Sequence, residues 1–430
     1  MIFNRIIFMG LLCFMSLQNC FAVDLELTQG SRRALPIALV PFKGEGQLGD
    51  ELSKVIKKDL TNSGAFKFVK YAESHQPHNS LQVDYKYWRS VGINNLIVGD
   101  IVKDKNEYSI TVQLLDPVSR AHIILSREYR APQRFFRSLA HHISDVIYQQ
   151  LTGHKGIFTT KLAYIVVDRN QPIKSRYRLE VSDYDGQAAK PLLISSEPIM
   201  SPSWSPDGKY IAYVSFENRK AEIYIVNVTN GKRQLITSYP GINGAPTWSP
   251  TGDQLSLVLS KAGAPKIYLY TFSNQKLERI TDGTSIDTEP KLTPDGRSLI
   301  FTSSRGGSPQ IYKINLNTKE TNRITFNGNY NASASITPSN KQMVLLHRGG
   351  AAGSFSIALQ ELASGDLTPL TFSKFDESPS LSPNGKMVVY ASKQKGKGIL
   401  RISTIDGRVN FKIPKSAGDM QEPAWSPYFE

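Results

Sequence analysis

Pro-Ser-Trp-Ser-Pro-Asp-Gly-Lys, residues 202–209, is the stretch that decides the fold, because related copies of it return along the chain. Two of these copies are Pro-Thr-Trp-Ser-Pro-Thr-Gly-Asp at 246–253 and Pro-Lys-Leu-Thr-Pro-Asp-Gly-Arg at 290–297. Every copy holds a Ser-Pro or Thr-Pro pair, and the six prolines stand 44 or 45 residues apart: Pro206, Pro250, Pro294, Pro338, Pro383 and Pro427. A constant period of this length indicates a repeat architecture.

The chemistry of the motif predicts a tight turn between two strands. Proline fixes φ near the value that the second turn position needs, and glycine tolerates a positive φ at the fourth. Short apolar runs follow the turn, such as Ile-Ala-Tyr-Val at 211–214 and Ile-Tyr-Ile-Val at 223–226. Four short strands in each repeat of about 44 residues are typical of one blade of a β-propeller.

The last copy of the motif, at residues 423–427, meets the end of the sequence after one strand. Three apolar runs, at 162–167, 178–182 and 191–194, precede the first full repeat and lack a motif strand of their own. We therefore predict an all-β six-bladed propeller over residues 157–430, with a ring closed by the C-terminal strand. A β-sandwich or an open solenoid has the same strand content but does not explain the split repeat.

Residues 35–152 lack the repeat and predict a small mixed α/β domain. Its expected elements are strands at 35–42, 96–99, 108–114 and 122–129 and helices at 50–60 and 133–151. Residues 153–156 form a joint too short for independent movement of the two domains over long distances.

The first 22 residues predict a secretory signal peptide, cleaved between Ala22 and Val23, because one basic residue precedes an apolar run. A retained membrane anchor fits less well, since the run is short for a bilayer. Acylation of Cys20 would need small residues before it, where Gln18 and Asn19 stand. Both cysteines, Cys13 and Cys20, fall in the removed segment, so the mature chain has no thiol. Residues 23–34 follow as an N-terminal arm, either frayed or used for contact.

Nothing in the sequence predicts an active site, a cofactor or a metal. There is no Gly-x-Ser-x-Gly motif or phosphate-binding glycine loop, and six of the seven histidines precede the propeller. We interpret His75 with His78, and His141 with His142, as structural or exposed residues, and we attribute Asp207 and Asp295 to the turns that contain them. The formal net charge is +14, but the basic residues are scattered singly, which disfavours nucleic acid as a partner.

Longer strings than the turn motif make the chain resemble the TolB family, periplasmic propeller proteins of the Tol-Pal envelope system in Gram-negative bacteria. In the propeller these strings lie at 181–186, 201–208, 243–246, 288–290, 309–313, 376–379 and 423–428. Pro-Ile-Ala-Leu-Val-Pro-Phe at 36–42, Asn-Ser-Gly at 62–64 and Leu-Thr-Gly at 151–153 match upstream. The resemblance covers the whole chain.

The resemblance implies a non-catalytic periplasmic scaffold that supports outer-membrane integrity and constriction during cell division. Its implied partners are the peptidoglycan-associated lipoprotein Pal, at the propeller mouth, and the C-terminal domain of TolA, at the arm. Other envelope proteins and bacteriocins could dock as well, and we expect a monomer that does not span the membrane. The arm residues expected to bind TolA are Val23, Asp24, Leu25, Glu26, Leu27 and Thr28. The alternative is a propeller that accompanies a peptidase-like hydrolase.

The loops before the motif strands should open on one face of the ring, around the central channel. This mouth is expected to present Met200, Ser201, Ile242, Asn243, Ala245, Thr288, Glu289, Tyr330, Asn331, Asp376, Glu377, Gln421 and Glu422. For Glu289 and Glu377 the alternative is that they only brace the strand that follows. The chain departs from the family pattern at Ile242 and in the copy at 334–340, so the partner contacts of these loops are open.

Overall fold

The computed structural model describes residues 34–44, 47–77, 79–119, 122–169, 176–349, 353–373, 375–414 and 416–429. The predicted signal peptide, its cleavage site and the predicted arm residues 23–33 lie outside the described residues, as does His78. Ala34–Glu430 forms one compact unit. Within the described segments, no helix has both the length and the apolar character that crossing a bilayer requires.

The α/β domain is built on a five-stranded sheet of order β2-β1-β3-β4-β5. Its strands are β1 (Leu35–Leu39), β2 (Phe66–Phe68), β3 (Leu96–Asp104), β4 (Glu107–Asp116) and β5 (His122–Ala131). Its helices are α1 (Leu48–Asn62), α2 (Tyr85–Ser90) and α3 (Phe136–Thr152), with 3₁₀ turns at Glu73–His75, Ser80–Gln82 and Gln133–Phe135. Strand β1 pairs in parallel with β2 and β3, while β3, β4 and β5 pair antiparallel.

The two long helices cover one face of this sheet. Leu52, Ile56 and Leu60 recur at helical spacing along α1 and are buried, as Ile143 and Ile147 are along α3. The sheet's other face packs against Trp88 of α2, which is fully buried. Strand β2 and helix α2 were not predicted, because three and six residues are too few to show a hydrophobic period.

The propeller has six four-stranded antiparallel sheets, which confirms the predicted fold class. Blade 1 consists of β29 (Asp419–Trp425), β6 (Lys161–Asp168), β7 (Arg176–Asp183) and β8 (Lys190–Ser195). Blade 2 has β9 (Ile199–Trp204), β10 (Tyr210–Ser215), β11 (Glu222–Asn227) and β12 (Arg233–Thr237); blade 3 has β13 (Asn243–Trp248), β14 (Gln254–Leu259), β15 (Lys266–Thr271) and β16 (Lys276–Arg279).

The three remaining blades repeat this order of strands. Blade 4 has β17 (Asp287–Leu292), β18 (Ser298–Ser303), β19 (Gln310–Asn315) and β20 (Thr321–Arg323). Blade 5 has β21 (Tyr330–Ile336), β22 (Gln342–Arg348), β23 (Ser356–Glu361) and β24 (Leu367–Pro369). Blade 6 has β25 (Glu377–Leu381), β26 (Met387–Gln394), β27 (Lys397–Thr404) and β28 (Asn410–Lys412).

The C-terminal strand closes the ring. Strand β29 pairs antiparallel with β6, with Trp425 opposite Leu162, so the first blade contains both ends of the repeat region. The indole Nε1 of Trp425 donates to Thr160 Oγ1 at 2.8 Å, and the amide of Ser426 donates to the carbonyl of Lys161 at 2.9 Å. Closure removes the free edges that an open array of blades would expose.

The motif turns have the predicted chemistry. In blade 2 the carboxylate of Asp207 accepts hydrogen bonds from Ser205 Oγ and from the amide of Lys209, and Gly208 has φ of 69°. In blade 4 Asp295 accepts from Thr293 and from the amide of Arg297 in the same way. Both aspartates are thus engaged by their own turns.

The α/β domain packs on the face of the ring opposite the mouth. In an antiparallel blade the first and third turns share one face, and the second turn shares the other with the loop to the next blade. The domain and its joint contact first and third turns. Lys58 binds Asp185 in the third turn of blade 1, between β7 and β8. The carbonyl of Lys155, in the joint, accepts from Asn384 in the first turn of blade 6, between β25 and β26. One hydrophobic cluster runs through Phe158 from the sheet into blades 1 and 6.

Candidate functional site: the mouth of the propeller

The six motif strands lie innermost and contact one another around the channel. Each contains a β-bulge with one non-glycine residue in the left-handed region, at φ between 45° and 53°. These residues are Ser201, Ala245, Glu289, Ser333, Ser378 and Glu422. A side chain at positive φ is costly, and its recurrence in every blade shows that the ring geometry imposes it.

Two of these residues brace the ring. The carboxylate of Glu289 accepts from the amide of Ser333 at 2.8 Å and from Thr302 Oγ1 at 2.6 Å, which ties blade 4 to blade 5. Glu422 accepts from the amide of Ser201 at 2.5 Å, which ties blade 1 to blade 2. Burial raises the pKa of Glu422 above its ordinary value. The contacts of Glu289 therefore fit the alternative interpretation, in which it braces a strand. The residue that it braces is Ser333, in the next blade.

A lysine lines the channel beside this brace. Lys291 donates from Nζ to Ser335 Oγ of the next blade. Burial lowers the pKa of Lys291 to about 8, against the opposing effect of the Glu289 carboxylate. The channel therefore carries both acidic and basic groups close together.

A buried polar residue stands at the base of four successive mouth loops: Asn243, Asp287, Asn331 and Asp376. Three of these were predicted to face a partner, but Asn243, Asn331 and Asp376 are each at most 1% exposed. Asn243 shows what such a residue does. Its side-chain oxygen accepts from the backbone amide of Tyr239, and its side-chain nitrogen donates to the backbone carbonyl of Tyr239, so the loop is fixed. Asn243, Asp287 and Asn331 support the mouth loops through such side-chain hydrogen bonds.

The mouth exposes several large apolar side chains. Ile242 and Met200, both predicted, are 47% and 39% exposed, and Glu377 is exposed beside them. Sequence reasoning missed Ile286, Phe326, Phe372 and Phe375, which are 53%, 72%, 90% and 57% exposed. The sequence does contain a pattern that marks three of the exposed residues. Ile242, Ile286 and Phe375 each directly precede an asparagine or aspartate that is buried in the structure.

Basic side chains lie over the aromatic rings of these loops. The Nζ atom of Lys261 is 4.0 Å from the ring centre of Tyr239, and that of Lys393 is 5.2 Å from Phe375. The guanidinium group of Arg323 lies over the ring of Phe326. That of Arg348 lies over the rings of both Tyr330 and Phe355. The mouth is an apolar and aromatic crescent on blades 3 to 6 with basic groups around it.

A second polar cluster lies away from the mouth, where the α/β domain meets blade 1. His141, Asp183 and Asp185 place possible ligand atoms within 4.8 Å of one another. Their carboxylate oxygens already hold cations, however: Arg137 bridges the two aspartates, Lys161 binds Asp183 and Lys58 binds Asp185. The cluster is a charged clamp between the domains, and His141 is the structural histidine that the sequence predicts.

The closed ring of six four-stranded blades defines this protein as a six-bladed β-propeller with an α/β domain before it. Two family models match this chain: "TolB beta propeller domain" over residues 148–429 and "TolB amino-terminal domain" over residues 23–123. The chain belongs to the TolB family, a component of the Tol-Pal system.

Similar proteins cover the chain almost end to end. "Tol-Pal system protein TolB" of Legionella pneumophila is 59% identical over 99% of both chains, and its namesake in Coxiella burnetii is 58% identical over 95% of this chain and 94% of its own. The crystal structure of TolB from Acinetobacter baumannii is similar with a TM-score of 0.84, at 37% identity over 92% of this chain and 97% of that one. These relatives are named as a Tol-Pal system protein or as TolB and not as an enzyme, in agreement with the prediction.

Proposed function

We propose that this chain is a non-catalytic periplasmic scaffold that binds Pal through the propeller mouth and TolA through residues 23–34. The observation that carries the proposal is the crescent of exposed apolar side chains on one face of a closed ring. Phe372 and Phe375 leave 90% and 57% of their surfaces in water. Exposed aromatic residues grouped around supported loops are typical of a protein-binding surface.

The rest of the face supports a protein partner. The groups that rim the crescent are cations held over aromatic rings, such as Arg348 over Tyr330 and Lys393 over Phe375. An apolar centre with a charged rim suits association in which central contacts provide affinity and the rim steers encounter. The family membership identifies Pal as the partner to test first.

The role of the arm rests on the family alone, because residues 23–33 lie outside the described residues. The α/β domain occupies the face opposite the mouth, as its contacts with the turns near Asp185 and Asn384 show. A scaffold that binds one partner at the mouth and another through the arm holds an outer-membrane-linked and an inner-membrane-linked protein together. Support of outer-membrane integrity and of constriction at division would follow from that link.

Calorimetric titration of residues 23–430 with the soluble domain of Pal from the same organism tests the proposal. We expect binding by the wild type, and a Glu289→Lys variant that binds at least tenfold more weakly, about 1.4 kcal/mol. Asp366→Lys is the matched charge reversal, since Asp366 is exposed in the turn between β23 and β24 on the opposite face. Absence of binding by the folded wild type, or reproducible peptide hydrolysis by it, would contradict the proposal.

A further inference from the structure

Three of these mouth loops, those that hold Asp287, Asn331 and Asp376, are built on the same plan, which allows their buried polar residues to be compared. In each, a neighbouring strand of the preceding blade begins beside the loop: the carbonyl of Pro265 accepts from the amide of Asp287, and that of Pro309 accepts from Asn331. Phe355 and Phe375 form the corresponding bridge before Asp376. The next residues, Lys266, Gln310 and Ser356, therefore occupy equivalent positions.

At two of these loops the equivalent residue satisfies the buried group. Lys266 Nζ lies 2.8 Å from Asp287 Oδ2, while Ser303 and Arg305 donate to Oδ1 at 2.6 and 3.2 Å. Burial by itself would raise the pKa of Asp287, but these partners hold it below its ordinary value.

The amide at the next loop has amide partners. The side chain of Asn331 donates to Gln310 Oε1 at 2.8 Å, and its oxygen lies 2.8 Å from His347 Nδ1. At the equivalent position, the buried aspartate Asp287 is paired with a lysine, and the buried asparagine Asn331 is paired with a glutamine.

Asp376 lacks the partner that this rule predicts. It is 1% exposed, Ser373 Oγ donates to its Oδ1, and Oδ2 has no hydrogen-bond partner in the described part of the chain. Ser356 stands where Lys266 serves Asp287. The counterpart of Arg305 by strand register is Gln394, and no hydrogen bond joins it to Asp376 Oδ2 among the described residues. A buried carboxylate oxygen without a donor is costly for the free protein.

We propose that Asp376 is the recognition site for a lysine or arginine side chain of the protein that docks on the mouth. The incoming cation would stand against Asp376 as Lys266 stands against Asp287, between the loops of blades 5 and 6. The inference rests on the proposed binding of Pal and adds the chemistry of one contact to it.

The surroundings favour a cation over a neutral donor. Phe375 directly precedes Asp376 and is 57% exposed, and Phe355 lies beside it across the bridge. Aromatic faces attract ammonium and guanidinium groups, and Lys393 already lies 5.2 Å from the centre of the Phe375 ring. A cation entering here gains a carboxylate and aromatic faces together. A divalent metal ion would need several more oxygen ligands than this single carboxylate supplies.

Two substitutions separate recognition from support of the fold. Asp376→Asn removes a carboxylate whose Oδ2 has no hydrogen-bond partner among the described residues, so we expect an unchanged or higher melting temperature together with at least tenfold weaker binding of Pal. Ser356→Lys places a cation at the position that Lys266 occupies beside Asp287, and we expect it to raise the melting temperature and also to weaken binding. Asp366→Asn, on the opposite face, should change neither quantity.

A double-mutant cycle against the exposed lysines and arginines of the Pal domain identifies the partner group. We expect one Pal substitution that weakens binding to the wild type at least tenfold and has little further effect on Asp376→Asn. Wild-type binding that Asp376→Asn leaves unchanged would overturn this inference and leave the proposed function intact. No binding by folded wild type would overturn both. A variant that loses affinity and melts well below the wild type would show that Asp376 only supports the loop.

Discussion

The Nδ1 atom of His141 lies 2.7 Å from Oδ2 of Asp59, and both side chains are buried. The other oxygen of Asp59 accepts the hydroxyl of Tyr184 at 2.8 Å. His141 belongs to α3, Asp59 to α1 and Tyr184 to the turn after β7, so one carboxylate joins two helices of the α/β domain to blade 1. Burial, reinforced by the charge of Asp59, raises the pKa of Tyr184 well above its ordinary value, so its hydroxyl remains a donor.

Replacing this carboxylate should loosen the attachment of the domain. Asp59→Ala leaves a buried imidazole and a buried hydroxyl without their shared acceptor, and we expect a loss of about 3 kcal/mol in the free energy of unfolding. Denaturant unfolding followed by circular dichroism measures it. Asp50→Ala, an exposed position on the same helix, should stay within about 0.5 kcal/mol of the wild type. Equal stabilities of the two variants would show that Asp59 is not a clamp.

Removal of the closing strand should destabilise all six blades. A chain ending at residue 420 loses most of β29, including Trp425, whose indole donates to Thr160. Blade 1 is then left with an open edge and blade 6 without its neighbour, so we expect a much lower melting temperature or loss of the cooperative transition. Deletion of residue 430 alone leaves β29 intact and serves as the control. Melting of the long truncation at the wild-type temperature would rule out closure as a source of stability.

Glu222 should make the propeller sensitive to acid. Burial alone would raise the pKa of Glu222, but hydrogen bonds from Ser238, Asn218 and Tyr224 outweigh it and lower the pKa to about 2. The group is thus harder to protonate in the folded chain than in the unfolded one. Its contribution to stability is complete above the ordinary value of 4.5 and is lost as the pH falls towards 2.

A Glu222→Gln variant tests this assignment. The difference in unfolding free energy between wild type and variant should be largest at pH 6 and should shrink steadily between pH 4.5 and pH 2. Urea unfolding at a series of pH values measures the difference. Glu320→Gln, at an exposed position, supplies the comparison and should differ little from the wild type throughout. A pH-independent difference for Glu222→Gln would contradict the low pKa.

The sequence predicted the ring because its turns use proline and glycine, whose backbone preferences are local. The bulges were invisible, since Ser201, Ala245 and Glu289 share no side-chain property that marks a positive φ. Contacts such as Asp59 with Tyr184 join residues far apart in the chain and follow from packing alone. That the loops before the motif strands share one face follows from strand topology. The apolar crescent on that face becomes evident only when the loops of several blades are compared.

The sequence allowed two interpretations of both Glu289 and Glu377, a residue that contacts the partner or one that braces the following strand. The two side chains have different surroundings in the structure. Glu289 is bound by Thr302 of its own blade and by Ser333 of the next blade, whereas Glu377 is exposed at the mouth. Glu289→Ala removes the carboxylate that accepts from both the amide and the hydroxyl of Ser333, so we expect a loss of about 1 to 3 kcal/mol in unfolding free energy.

Glu377→Ala should leave stability within about 0.5 kcal/mol of the wild type, because its side chain is exposed. If the mouth binds Pal, Glu377→Ala weakens the affinity for Pal and leaves the melting temperature unchanged. Glu289→Ala lowers both, because loss of the Glu289 bonds loosens the loop beneath the Pal-binding surface. Melting curves and calorimetric titrations on the same two preparations separate these outcomes. Equal melting temperatures for both variants would show that the bonds of Glu289 do not brace the ring, and its place at the mouth would then have to be explained by contact with the partner.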